Sequence, residues 1–227
     1  VYVDGAASSG TANREAILQK SHARSRALKA EELMSLGRDE GRELLKQNDV
    51  VYIYHNRIDS IGDKRETEES VFEAVEDAMS DLIQIVKKLS NFNASAILVT
   101  SDHGFIYQSK PIAESDFAGG AAQGDSILYH HRRFVLGKGL REEAGFKKYT
   151  STQLGLSGDV EVLIPKSINR LRQRGSGSRF VHGGSSLQEV VLPVLKVVKK
   201  RQSDVSKVDV AIIMGSSKVI TTSQLGV

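Results

Sequence analysis

Apolar positions in this chain follow two patterns, short β-branched runs and one long helical stripe. Residues 50–54 read Val-Val-Tyr-Ile-Tyr and predict a strand. Ala96, Ile97, Leu98 and Val99 predict a second, buried strand that stops abruptly at polar residues. Between them, Val71, Phe72, Val75, Met79, Leu82, Ile83, Val86 and Leu89 recur at helical spacing, which predicts a helix over 67–89. Glu68 and Glu69 fall in its first turn, and Lys87 and Lys88 in its last, as the helix dipole favours. Strand, helix and strand in this order, with a polar loop after each strand, predict an α/β fold on a mostly parallel sheet.

The remaining pattern is weaker. Residues 1–3 read as a short strand and 4–11 as a loop of turn residues. Asn13 is a candidate cap for a helix over 14–22. Leu33, Leu36, Leu44 and Leu45 give a second helical stripe over 28–47, which Gly37 and Gly41 weaken. Residues 55–63 form a polar loop. Residues 108–124 lose all periodicity and predict a long loop or lid. Strands of a β-rich excursion are expected over 126–136 and 160–164, and a short basic helix over 167–174. Ser185 or Ser186 caps a brief helical turn through Glu189 and Val190. A last apolar strand runs over 192–198, with Pro193 at its start or on an edge. Strand-like runs over 208–214 and 218–222 suggest a separate β module. The expected division is therefore an α/β domain over 1–200 and the start of a second module over 201–227. Both ends of the chain fall in strand-like sequence, so a piece of a longer protein is expected.

Composition narrows the chemistry. The 227 residues contain no cysteine, which excludes disulfides, thiolate ligands and a cysteine nucleophile and fits a cytoplasmic protein. The net charge of +3 and pI near 9.0 permit a phosphate or nucleic-acid partner without requiring one. No apolar run is long enough to span a bilayer, so no membrane partner is expected.

Metal-ligand residues follow several apolar segments. Asp102 and His103 end the 96–99 strand and precede Gly104, where the backbone can turn without a Cβ in the way. Asp59 and Asp63 lie in the 55–63 loop behind His55. His182 precedes Gly183 and Gly184. Carboxylate and imidazole are the ligand types of zinc and manganese. Loops at strand ends of a parallel sheet lie side by side, so these residues are positioned to converge. Taken singly, Asp63 reads as a solvated carboxylate and His55 as a structural histidine. Lys166, Arg170, Arg172, Arg174 and Arg179 form a basic run ahead of His182, readable as a solvated loop or as a phosphate-steering surface. His130 and His131, adjacent on a strand, point to opposite faces and do not suggest a shared metal.

Residues 100–105, Thr-Ser-Asp-His-Gly-Phe, resemble the Asp-His-Gly motif of the alkaline phosphatase superfamily. His55-Asn56-Arg57-Ile58-Asp59 with Asp63, and the segment 181–193 around His182-Gly183-Gly184, resemble its PglZ branch, found in BREX phage-defence systems. The opening Asp4-Gly5 with Ser8, Ser9, Gly10, Thr11, Asn13 and Arg14 is similar to the same branch. The resemblance covers roughly residues 1–200. It implies a three-layer alkaline-phosphatase-like domain, of which this chain holds the C-terminal part. It further implies a metal-dependent phosphodiesterase or phosphatase, with nuclease activity among the defence members, and other BREX proteins as partners. By position, Asp59, Asp63 and His182 would hold one ion, and Asp102 with His103 the other. Zinc is the first expectation and manganese the second. The superfamily more often has His at the place of Asp63, and Asp there favours a harder ion. An earlier Asp and the Thr or Ser nucleophile would precede Val1, so no catalytic residue is assigned and the chain alone is expected to lack turnover. Asp4 and Thr11 fit that missing pair only superficially. The alternative is a non-catalytic scaffold that keeps the fold.

Overall fold

The computed structural model describes residues 2–173 and 177–199. The expected module over 201–227, and Arg174 of the basic run, lie outside the described residues. Strands β1 (Tyr2–Val3) and β2 (Ala6–Ala7) form a small hairpin whose turn places Asp4 and Gly5 at φ of 47° and 76°. Paired positive φ values are what a two-residue hairpin turn needs, and Asp-Gly supplies them at low cost. Helix α1 (Thr11–Ser21) follows. Asn13 lies inside it and donates from Nδ2 to the Ser9 carbonyl at 2.8 Å.

The expected single helix over 28–47 is three elements: β3 (Ser25–Lys29), α2 (Ala30–Ser35) and α3 (Arg38–Gln47). The glycines account for the division. Gly37 precedes α3 in extended backbone, and its N–H donates to the Glu40 carboxylate at 2.7 Å. A Cβ on Gly41 would run into the Phe92 ring, so Gly41 marks a close helix contact. Strand β3 pairs in parallel with β4 (Val50–Tyr54). Helix α4 (Arg57–Gly62) then occupies most of the expected polar loop. The long stripe becomes α5 (Val71–Asn91), entered through one 3-10 turn at Glu68–Ser70. Its Ile85 and Leu89 pack with Leu28, Ala30, Leu33 and Phe92 in the first core cluster. Leu33 is fully buried there. Leu33→Ala is expected to cost roughly 2–5 kcal/mol, read from urea unfolding of the chain.

Strand β5 (Ala96–Val99) pairs with the chain's last described strand, β12 (Leu195–Val198). That pairing is antiparallel, and β3 with β4 is the one parallel strand pair among the described residues. The expectation of a mostly parallel sheet is not met in this part of the molecule. Strand β12 is reached only after the excursion and runs opposite to β5.

The excursion has its own sheet and core. Strands β7 (Ser126–His130), β8 (Val135–Lys138), β9 (Phe146–Thr150) and β10 (Glu161–Pro165) form an antiparallel sheet in the order β7-β8-β10-β9. Val135, Leu140, Phe146, Leu163 and Leu171 fill its interior. No helix forms over the expected 167–173, where Arg170 is instead fully buried. Two short strands join the excursion to the α/β part. β6 (Ile106–Tyr107) pairs with β11 (Phe180–Val181), Val181 opposite Ile106. Helix α6 (Leu187–Val190) follows, capped by Ser186. No helix among the described residues is long and apolar enough to cross a membrane.

Candidate metal centre

The pairing of β6 with β11 builds the site. His103 lies three residues before Ile106 and His182 one residue after Val181, so an antiparallel pair brings both to the same end. Their imidazoles stack with centroids 4.2 Å apart and planes 7° from parallel. Helix α4 lies against the same strand, because Gly62 leaves room for the Phe180 ring. A Cβ at Gly62 would stand 2.5 Å from that ring's Cγ. Asp59, one turn earlier on α4, therefore faces the histidines. Single ligand atoms of Asp59, His103 and His182 all lie within 4.8 Å of one another.

Each candidate ligand is oriented by its surroundings. His103 Nδ1–H donates to the Gly104 carbonyl at 3.0 Å, which leaves Nε2 as the lone-pair nitrogen. That Nε2 stands 3.6 Å from Asp59 Oδ2. Burial pushes the Asp59 carboxyl above its usual range, and the neighbouring Asp63 and Asp102 add to this against the pull of His103 and His182. A desolvated carboxylate beside two imidazoles suits a divalent cation, whose charge would relieve the burial cost. Two imidazoles and one carboxylate with an open position form a common catalytic zinc set. The donor set therefore fits the ion that the sequence resemblance implies.

The other expected ligands are placed differently. Asp63, one turn after Asp59, has Oδ1 at 3.3 Å from His182 Nε2 and accepts from Arg132 Nη2 at 3.0 Å. It stands outside the three-residue group, tied to a guanidinium. Asp102 is 89% exposed at its side chain, and its Oδ1 accepts from the His103 backbone N–H at 3.1 Å. His55 is paired with Asp81 of α5, Nε2 to Oδ2 at 2.9 Å, and Arg57 Nε donates to the same oxygen at 2.8 Å. The His55 and Arg57 hydrogen bonds hold the Asp81 carboxyl below its usual range. A depressed pKa contributes stability that is present above the unfolded-state pKa and lost as pH falls through the folded value. Asp81→Asn is thus expected to flatten the acid side of a stability–pH curve, by under about 1 kcal/mol because the pair is partly exposed.

Two arginines that directly follow His130 and His131 in the sequence frame the site. The β7–β8 turn carries Arg132 and Arg133, both buried. Arg132 donates to the carbonyls of Gly177 and Phe180 at 3.0 Å each, as well as to Asp63. Arg133 forms a two-pronged pair with Glu189 of α6, Nε to Oε1 at 2.8 Å and Nη2 to Oε2 at 2.7 Å. Glu189 also accepts from the Gly184 and Ser186 N–H groups and the Ser186 hydroxyl. Burial works to raise the Glu189 carboxyl, but the Arg133 and Ser186 hydrogen bonds outweigh it and hold it low. Both glycines after His182 follow from this. Gly183 has φ of 93°, and a Cβ at Gly184 would stand 2.5 Å from Arg133 Nη2 and 2.7 Å from Glu189 Oε2. Gly104 obeys the same logic, since its Cβ would meet the Gln188 carbonyl oxygen, and its N–H donates to the Glu189 carbonyl at 2.9 Å.

His131 adjoins this frame, its ring 5.6 Å from that of His182. Burial, with the Arg132 charge next to it, pushes His131 down to about 4, so its ring is neutral at physiological pH. The expected basic surface is largely consumed by pairing. Arg170 donates to the Ser178 carbonyl, Arg172 pairs with Glu114, and Arg179 pairs with Glu69 at 2.8 Å.

Comparison with known proteins agrees with these features. Residues 1–197 match the family model described as the BREX system PglZ alkaline phosphatase-like domain. The chain is 39% identical over 199 residues to the alkaline phosphatase-like protein BrxZ of Escherichia coli O9:H4 (strain HS), an alignment covering 87% of this chain and 23% of that protein. It is 35% identical over 225 residues to the alkaline phosphatase-like protein PglZ of Bacillus cereus (strain H3081.97), covering 96% of this chain and 26% of the relative. The chain thus spans about a quarter of the length of these curated relatives. By the extent of the family match and the level of identity, the chain belongs to the PglZ family of alkaline phosphatase-like proteins.

Proposed function

We propose that this chain supplies metal ligands to a metal-dependent phosphoester hydrolase of a BREX defence system. The observation that carries this reading is the convergence of Asp59, His103 and His182 from three separate segments. Their donor types fit zinc first and manganese second. A bound divalent ion would supply Lewis-acid stabilisation of a phosphoryl oxygen. The residues of the chain do the positioning: His103 is fixed by the Gly104 carbonyl, and His182 by the Arg133–Glu189 frame of its loop. We place the hydroxyl nucleophile and part of a second ion's ligands outside these 227 residues, as the resemblance implies. The resemblance gives Asp63 to the first ion and Asp102 with His103 to the second, whereas the group supporting this reading draws His103 to Asp59 and His182. The same reading takes the fold as part of a three-layer alkaline-phosphatase-like domain ending near residue 200. It takes the protein as cytoplasmic, with phosphodiesters, nucleic acid included, as its substrates and other BREX proteins as its partners.

The test is hydrolysis of bis-p-nitrophenyl phosphate by the full-length protein that contains this chain, before and after treatment with EDTA. Turnover that EDTA abolishes, that zinc or manganese restores, and that His103→Ala removes in a folded protein is the expected result. Turnover indifferent to EDTA and to His103→Ala would contradict the proposal. One observation favours a second reading. Asp63 is engaged by Arg132, and Asp102 is exposed, so the described residues group ligands for one ion only. A scaffold protein with a single structural ion would show this arrangement, would bind metal and would lack turnover at full length.

A further inference from the structure

The two stacked imidazoles do not end the row of rings at the site. From His182 the row continues to His131, at 5.6 Å between centroids, and from there to Phe134 at 4.9 Å and Tyr129 at 6.4 Å. Tyr129 and His131 lie within 10° of parallel. Phe134 closes the triangle, 5.7 Å from Tyr129. The row runs from the half-buried His182 to Tyr129, which is 52% exposed near the turn of the β7–β8 hairpin. Leu128 and Ile127 beside it are also exposed. The hairpin cannot swing away freely, because the buried Arg132 and Arg133 pin its turn to Phe180, Asp63 and Glu189. A rigid, open ring face next to a candidate phosphoester centre is suited to stacking a flat substituent.

We propose that Tyr129, with His131 and Phe134 behind it, forms a subsite that stacks the nucleobase of a phosphoester whose phosphate lies at the Asp59–His103–His182 group. The proposal rests on the phosphoester reading of that group and narrows its substrate to nucleotides and nucleic acid. Stacking on a ring face is tolerant of base identity, so the subsite is expected to take any base. The His131 ring, within 10° of parallel to Tyr129, extends the flat surface behind it.

The experiment compares adenosine 5′-monophosphate with ribose 5-phosphate, which lacks only the base. Binding of each to the full-length protein that contains this chain is followed by ligand-observed NMR and calorimetry, with zinc and after EDTA, for wild type and Tyr129→Ala. Tyr129 is exposed, so its removal leaves the cores intact. The nucleotide is expected to bind about tenfold or more tightly than ribose 5-phosphate, in line with stacking on one aromatic side chain. Tyr129→Ala is expected to erase that ratio while leaving ribose 5-phosphate and zinc binding unchanged. Equal affinities in wild type, a ratio that survives Tyr129→Ala, or no binding of either ligand would overturn the subsite. If ribose 5-phosphate still binds only with zinc in such a case, the metal-centre reading stands without the subsite. A base-dependent ratio that Tyr129→Ala erases but EDTA does not touch would support the subsite and count against the metal centre.

Discussion

Arg133→Ala is expected to destabilise the chain by roughly 3–5 kcal/mol, because it strands Glu189 as a buried, unpaired carboxylate. Both partners are almost fully inaccessible, at 0% and 1% of their side-chain surface, so solvent cannot take over the lost charge. Arg133 also satisfies the carbonyls of Ser167 and Asn169, which the substitution leaves without that donor. Arg133→Lys is expected to recover little, since an ammonium cannot make the two-pronged contact. The effect reaches the site as well. Glu189 holds the Gly184 and Ser186 N–H groups, and these fix the loop that carries His182. A loosened loop is expected to lower zinc affinity about 10–100-fold, the usual cost of losing an outer support of a metal ligand. Urea unfolding and a zinc titration, done on the same variant, check both effects. Because Glu189 is held low, its contribution is present above the unfolded-state pKa and disappears as pH falls through the folded value. The gap between wild type and Arg133→Ala should therefore close in acid.

Gly104→Ala is the second large effect. The added methyl meets the backbone oxygen of Gln188, which is less able to yield than a flexible side chain. Either β6 or α6 must shift, and the bond from Gly104 N–H to the Glu189 carbonyl breaks with that shift. A cost of about 1–3 kcal/mol from overpacking is expected. Loss of zinc binding should exceed that cost, because His103 precedes Gly104 and uses its carbonyl as the Nδ1 acceptor. Ser101→Ala, at an exposed neighbouring position, should leave both properties within error of wild type.

The elements with strong periodicity were legible in the sequence. The stripe from Val71 to Leu89 gave α5, and the β-branched runs gave β4 and β5. Ser185 or Ser186 ahead of Glu189 announces the short capped turn, and Ser186 is the cap. Helix α4 is hidden because six residues are too few to show a helical period, although Asp59 and Asp63, the residue that caps its C-terminal end, stand one turn apart. The break of 28–47 into three elements was signalled only by Gly37 and Gly41, whose roles depend on Glu40 and on the distant Phe92 ring. The antiparallel pairing of β5 with β12 depends on a partner far along the chain, which local pattern does not encode.

At the site, Asp59, His103 and His182 could be named from residue type and motif, and the structure groups them. Nothing local marked Arg132 and Arg133 as buried, since adjacent arginines read as solvated until Glu189 and Asp63 arrive from elsewhere. His131 follows the end of β7 at His130 instead of lying on the strand, and that place at the hairpin turn brings its ring beside His182.

Titration calorimetry of the 227-residue chain with zinc, comparing wild type with His182→Ala, tests the central claim most directly. Asp59, His103 and His182 acting as one ligand group predict saturable binding of a single ion by the wild type. They also predict proton release on binding and an affinity at least a hundredfold lower in a folded His182→Ala variant. No saturable binding by the wild type, or undiminished binding by the variant, would contradict it.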